Sequence, residues 1–81
     1  MTQISFDLLD FKEKANHLWK VGEFISQRKY YNHDVDLYAL KGFFVEVHYE
    51  PGENTIDRIE SLHDNKALSL YLADIELKSY F

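Results

Sequence analysis

From Val35 to Glu50 the chain alternates. Phe43, Val45, Val47 and Tyr49 share one parity, and Phe44, Glu46, His48 and Glu50 the other. A period of two sends successive side chains to opposite faces of a strand. The spacing therefore predicts a strand over about 43–50, preceded by a second over about 34–41. In that earlier strand Val35, Leu37 and Ala39 alternate with Asp36, Tyr38 and Leu40. Lys41–Gly42 makes the short turn between them. In E-P-G-E, Pro51 fixes φ and Gly52 accepts a positive φ, the signature of a type II turn. TIDRIE follows as a strand over about 55–61, although its two isoleucines stand three apart, which asks for a bulge or a twisted end. EFISQRKYY, over about 23–31, is rich in strand formers but alternates poorly, as an edge strand or a bulged one does. Asn32, His33 and Asp34 read as its polar turn.

The period changes at both ends. Leu8, Phe11, Ala15, Leu18 and Trp19 fall on one face of a helix over about 7–20. Asp7 is the expected N-cap, with Phe6 and Phe11 as a hydrophobic staple, and Asp10 with Glu13 is an alternative capping box one turn later. Gly22 is the expected stop, in the left-handed conformation. Asp64 can cap a second helix over about 64–75, whose apolar face is Ala67, Leu68, Tyr71, Leu72 and Ile75. The tail ELKSYF either docks through Leu77, Tyr80 and Phe81 or frays. The sum is one α+β domain over residues 1–81: N-terminal helix, four-stranded antiparallel meander sheet and C-terminal helix, with both helices packed on one sheet face.

Composition narrows the classes of function. With 81 residues and 16% aromatics, a few large rings can fill a small core. The absence of cysteine excludes disulfides, thiolate metal sites and a cysteine nucleophile, and it fits a reducing cytoplasm. No segment approaches the roughly 20 apolar residues of a membrane span, and the N-terminus lacks the basic and apolar regions of a secretory signal. Residues 1–29 carry five basic and four acidic side chains. The remainder carry four and ten, so +1 and −6 sum to the net −5. An acidic C-terminal two-thirds repels phosphate backbones, so no nucleic-acid partner is expected.

The runs A-N-H-L-W-K-V-G-E-F (Ala15 to Phe24), V-D-L-Y-A-L (Val35 to Leu40), F-F-V-E-V-H-Y (Phe43 to Tyr49) and L-S-L-Y-L (Leu68 to Leu72), in that order, resemble small uncharacterised single-domain bacterial proteins. The resemblance implies a compact bacterial domain. It implies no activity, ligand or partner.

Candidate chemistry centres on Glu46 and His48. Two residues apart on a strand, they point the same way about 6.5–7 Å apart, so they suit two metal ligands or an acid and a base, with Glu50 as a third member. The competing reading is a strand's polar face. Asn32-His33-Asp34-Val35-Asp36 offers oxygen ligands at alternate positions but lacks the glycine and distal glutamate of a calcium loop. Ser61 and His63 border a helix start, where serine commonly caps. No serine sits in a nucleophile elbow and no glycine loop can cradle a phosphate. The chain reads as a non-enzyme without a cofactor or metal. The strongest surface is aromatic: Tyr38, Leu40 and Phe44, rimmed by Glu46 and His48, on a sheet face left open by the helices. It suits a cytoplasmic interaction module with a protein partner or a second copy of itself. A small-molecule or metal site at Glu46 and His48 is the alternative.

Overall fold

The computed structural model describes residues 1–71. Two α-helices, α1 (Gln3–Asp7) and α2 (Phe11–Val21), precede four strands: β1 (Glu23–Tyr30), β2 (His33–Leu40), β3 (Phe43–Tyr49) and β4 (Ile56–Ser61). A 3₁₀ helix, Asn65–Tyr71, follows. The strands form one antiparallel sheet in the order β1-β2-β3-β4, the expected meander. The fold is α+β, and among the described residues no helix is long and apolar enough to cross a membrane.

The N-terminal helix divides in two. Asp10, not Asp7, caps α2: its side chain accepts from the Glu13 amide at 2.8 Å, and the Glu13 carboxylate accepts from the Asp10 amide at 3.0 Å. That capping box starts a new helix, while Thr2 and Ser5 form another one on α1. The staple is replaced by a division of labour. Phe6 is fully buried and Phe11 is half exposed.

Gly22 ends α2 as expected, but for a different reason. Its φ of −75° is open to any residue. The constraint is space, because a Cβ there would lie 2.7 Å from the Leu18 carbonyl oxygen. Gly22→Ala is therefore expected to cost about 1–3 kcal/mol by forcing the helix end apart, read as a lower urea midpoint with an unchanged slope. A loss under about 0.5 kcal/mol would refute the steric argument.

The turns follow their local chemistry. Gly52 has φ +73° and the Glu53 amide bonds to the Glu50 carbonyl at 3.1 Å, closing the E-P-G-E turn. The first hairpin turns earlier than Asn32-His33-Asp34 suggests. Tyr31, at φ +51°, and Asn32 make the turn, and His33 and Asp34 already pair with Tyr30 and Lys29. β1 is an edge strand with a register shift between Phe24 and Ser26. A second shift opposite β4, between His48 and Tyr49, explains the isoleucine spacing: Ile56 and Ile59 pack against the same cluster although they stand three apart.

Two apolar clusters lie on the two faces of the sheet. The helix-side cluster joins Phe6 and Leu18 to Leu40, Phe43, Val45, Val47 and Ile59, with Leu9, Ala15, Tyr38 and Tyr49 against it. The other joins Leu37, Ala39 and Phe44 to Tyr71, with Ile25, Leu62 and Leu68 alongside. Of the apolar residues expected on the C-terminal helix, Leu68 and Tyr71 belong to the cluster opposite α2. Of the helix expected over about 64–75, the described part is the 3₁₀ turn, with Asp64 accepting from the Lys66 amide at 2.9 Å. Leu72, Ile75 and the tail ELKSYF lie outside the described residues.

Candidate functional site

The register of the central hairpin separates the residues expected to share an open face. Tyr38 pairs with Val45 and Leu40 with Phe43, whereas Leu37 pairs with Glu46 and Ala39 with Phe44. Tyr38 and Leu40 therefore face α2, and Phe44, Glu46 and His48 face the other way. Leu40 and Phe44 are 6% and 3% exposed, so they form no open patch. Each face is already covered where these residues stand.

Glu46 is the centre of a buried polar cluster. Its side chain is 6% exposed and that of His48 5%. Arg28 reaches across from β1, and its Nη2 donates to Glu46 Oε2 at 3.0 Å. The Tyr71 hydroxyl donates to the same oxygen at 2.6 Å, and Arg28 Nε donates to the Tyr71 oxygen at 2.7 Å. Glutamate, guanidinium and phenol close a triangle, with the guanidinium 5.4 Å from the Tyr30 ring centre and 5.6 Å from that of Tyr71. Burial alone would raise the Glu46 pKa, but the hydrogen bonds and the Arg28 charge outweigh it and hold the carboxyl at about 2. His48 Nε2 stands 3.7 Å from Glu46 Oε1, a long contact, and has no hydrogen-bond partner among the described residues. The adjoining His48 imidazole, the Tyr71 hydroxyl and the Arg28 guanidinium together carry the effect. Burial and the adjoining carboxylate push the Tyr71 hydroxyl well above its ordinary range.

The described hydrogen bonds of this cluster run among Glu46, Arg28 and Tyr71 themselves. A general base needs a free lone pair near its working pH, whereas Glu46 Oε2 is engaged twice and its pKa is far below neutral. Among the described residues no group of three histidine, aspartate or glutamate side chains can hold a metal ion. The acidic run at the start of β2 is likewise engaged: Asp34 pairs with Lys29, and Asp36 accepts from Gln27 at 2.7 Å.

Sequence reasoning placed Ser61 and His63 at a helix start but missed the second cluster that Asp7 makes with them. Ser61, the last residue of β4, donates to Asp7 Oδ1 at 2.6 Å, and His63 Nε2 lies 2.8 Å from Asp7 Oδ2 and 3.2 Å from Ser61 Oγ. These residues line an open cleft of about 350 Å³ with Lys14, Ile59 and Glu60. Serine, histidine and aspartate meet here, but not as a nucleophile and its base. A carboxylate only accepts, so the imidazole proton sits on Nε2 and leaves no lone pair there for the serine proton. The group is a clasp between α1 and β4, joined by Gln3, whose side chain donates to the Leu62 carbonyl at 2.8 Å.

The exposed feature is an aromatic ridge beside β1. Trp19 meets Tyr38 at 5.6 Å and 59°, and Phe24 meets the same ring edge-on at 5.8 Å and 77°. Trp19 and Phe24 are about half exposed. Of the residues expected to form the surface, only Tyr38 belongs to this ridge. A strand face read in isolation could not supply Trp19, which comes from the helix.

Comparison with known proteins decides nothing. The chain matches no protein-family model, and no curated protein or solved structure is significantly similar to it. The resemblance to small bacterial proteins gains no support from these comparisons, and the functional reading rests on the molecule's own chemistry.

Proposed function

We propose that this protein is a small protein-binding module whose docking surface is the ridge of Trp19, Tyr38 and Phe24. The supporting observation is that Tyr38 holds two further rings, Trp19 tilted against it and Phe24 edge-on, both of them half exposed, beside an edge strand. Rings fixed against one another lose little conformational freedom on binding, and tryptophan and tyrosine are the side chains that most often anchor protein interfaces. The partner is a protein chain, a second copy included. The reading assigns the module to the cytoplasm, gives it no cofactor and ascribes no catalysis to it.

The test is capture of partners from the native cell's lysate by the tagged full chain. Trp19→Ala is expected to weaken a stoichiometric partner about 30-fold, the scale of a hot-spot truncation, while the unfolding midpoint moves by only a few degrees. Tyr31→Ala, at an exposed position outside the ridge, is expected to retain it. A partner held equally by the parent and Trp19→Ala chains would overturn the reading. So would a monomer that captures nothing.

A further inference from the structure

We infer that residues 64–71 form a strap that opens as a unit while the sheet stays folded, with Tyr71 on Glu46 and Arg28 as its latch, uncovering the apolar face of Leu37, Ala39 and Phe44. This surface lies on the sheet face opposite the one Tyr38 lines, so the inference is independent of the proposed docking ridge.

The strap's root is fixed by the Gln3 side chain on the Leu62 carbonyl at 2.8 Å and by His63 Nε2 at 2.8 Å from Asp7 Oδ2, and beyond it the described attachments are of identifiable kinds. Where β4 ends, the Leu62 amide bonds to the Phe44 carbonyl at 2.9 Å and carries the chain past the edge of the sheet. Leu62, Leu68 and Tyr71 then pack on Leu37, Ala39 and Phe44. Between these anchors Lys66, Ser69 and Leu70 are exposed. The segment is a 3₁₀ helix of seven residues, longer than the three or four over which that geometry is usually sustained. Its own backbone therefore contributes little to holding it down.

The latch is built so that release leaves no stranded charge. Arg28 and Glu46 bond to each other at 3.0 Å without help from the strap. When Tyr71 leaves, that pair remains intact and water replaces the phenol. Breaking a buried pair by removing one ion would be far more costly. Among the described contacts, opening beyond His63 thus loses two hydrogen bonds of one hydroxyl and the apolar contacts of Leu68 and Tyr71, while Leu62 and His63 stay bound to Gln3 and Asp7. The strand ladders and the helix-side cluster contain no strap residue. They provide a folded body for the strap to open from, as sub-global units do in other proteins.

Native-state hydrogen exchange on the full chain, with and without Tyr71→Phe, tests this. In the parent protein, amides of residues 65–71 are expected to exchange through a smaller opening than amides of β2 and β3. In Tyr71→Phe the strap amides are expected to exchange about tenfold faster, the effect of losing a hydrogen bond to a charged group, while those of β2 and β3 change by less than about twofold. Leu68→Ala, which spares the latch, is expected to accelerate the same set. If strap, β2 and β3 amides share one opening in the parent protein, or accelerate together in either variant, the strap is part of a single cooperative unit and the inference fails. A Tyr71→Phe chain that does not fold overturns it equally.

Discussion

Phe6→Ala is expected to remove about 3–5 kcal/mol of stability, the usual cost of emptying a buried aromatic site. The whole reserve of a chain this long is about 4–12 kcal/mol, so the variant is expected to be largely unfolded under mild denaturation. Phe6 is 0% exposed and is the one buried residue of α1. Its ring lies 5.7 Å from that of Phe43, with His17 at 6.2 Å and the Lys14 ammonium at 5.8 Å. A helix of five residues has no stability of its own, because nucleation costs more than so few hydrogen bonds return. Phe6 therefore fixes α1 in place.

The loss spreads beyond the ring. Without Phe6, α1 no longer holds Asp7 against Ser61 and His63, or Gln3 against the Leu62 carbonyl. The matched control is Leu8→Ala, two residues on and 82% exposed, expected to stay within about 0.5 kcal/mol. Urea titrations of the two variants decide the matter. A Phe6→Ala loss under about 1 kcal/mol would mean that α1 is not docked through this ring.

What the sequence made legible was local. The period of two from Val35 to Tyr49 and the Pro51–Gly52 turn each carry their own chemistry, and the sheet follows from them. The helix-side face was also readable on β3, since Phe43, Val45 and Val47 do enter that core. The pairing of faces across the hairpin required one further step. A two-residue turn at Lys41–Gly42 sets Leu40 opposite Phe43, so Leu40 and Tyr38 must share the face of Phe43 and not of Phe44. That signal was present in the spacing. The strap was harder, because Ala67, Leu68 and Tyr71 fit an α-helical face as well as a 3₁₀ turn. The partners of Glu46 were not readable at all. Arg28 and Tyr71 stand 18 and 25 residues away along the chain, and only the assembled sheet brings them to one carboxylate.

Glu46→Gln is expected to cost about 3 kcal/mol near neutral pH and almost nothing at the acid limit. The sign follows from the direction of the shift. In the folded protein the Glu46 carboxyl titrates at about 2, against its ordinary 4.5. A depressed carboxyl contributes stability that is fully present above the ordinary value and is lost as the pH falls through the folded one. Two and a half pKa units correspond to about 3 kcal/mol, to be taken at the scale of a kilocalorie because Arg28 keeps partial contact with solvent. The difference in unfolding free energy between parent and variant should therefore be flat from pH 7 to about 5. It should then shrink to under about 1 kcal/mol near pH 2. Other carboxylates titrate in the same window, but they are common to both chains and cancel in the difference. Glutamine keeps the size of the side chain and an accepting oxygen, so a loss that persists unchanged at pH 2 would assign the effect to packing and not to charge. The pH range also bears on the strap: a latch whose carboxylate stays ionised to about pH 2 is not released by mild acid. Its opening at neutral pH is governed by the phenol and the apolar contacts of Leu68, the groups that Tyr71→Phe and Leu68→Ala alter.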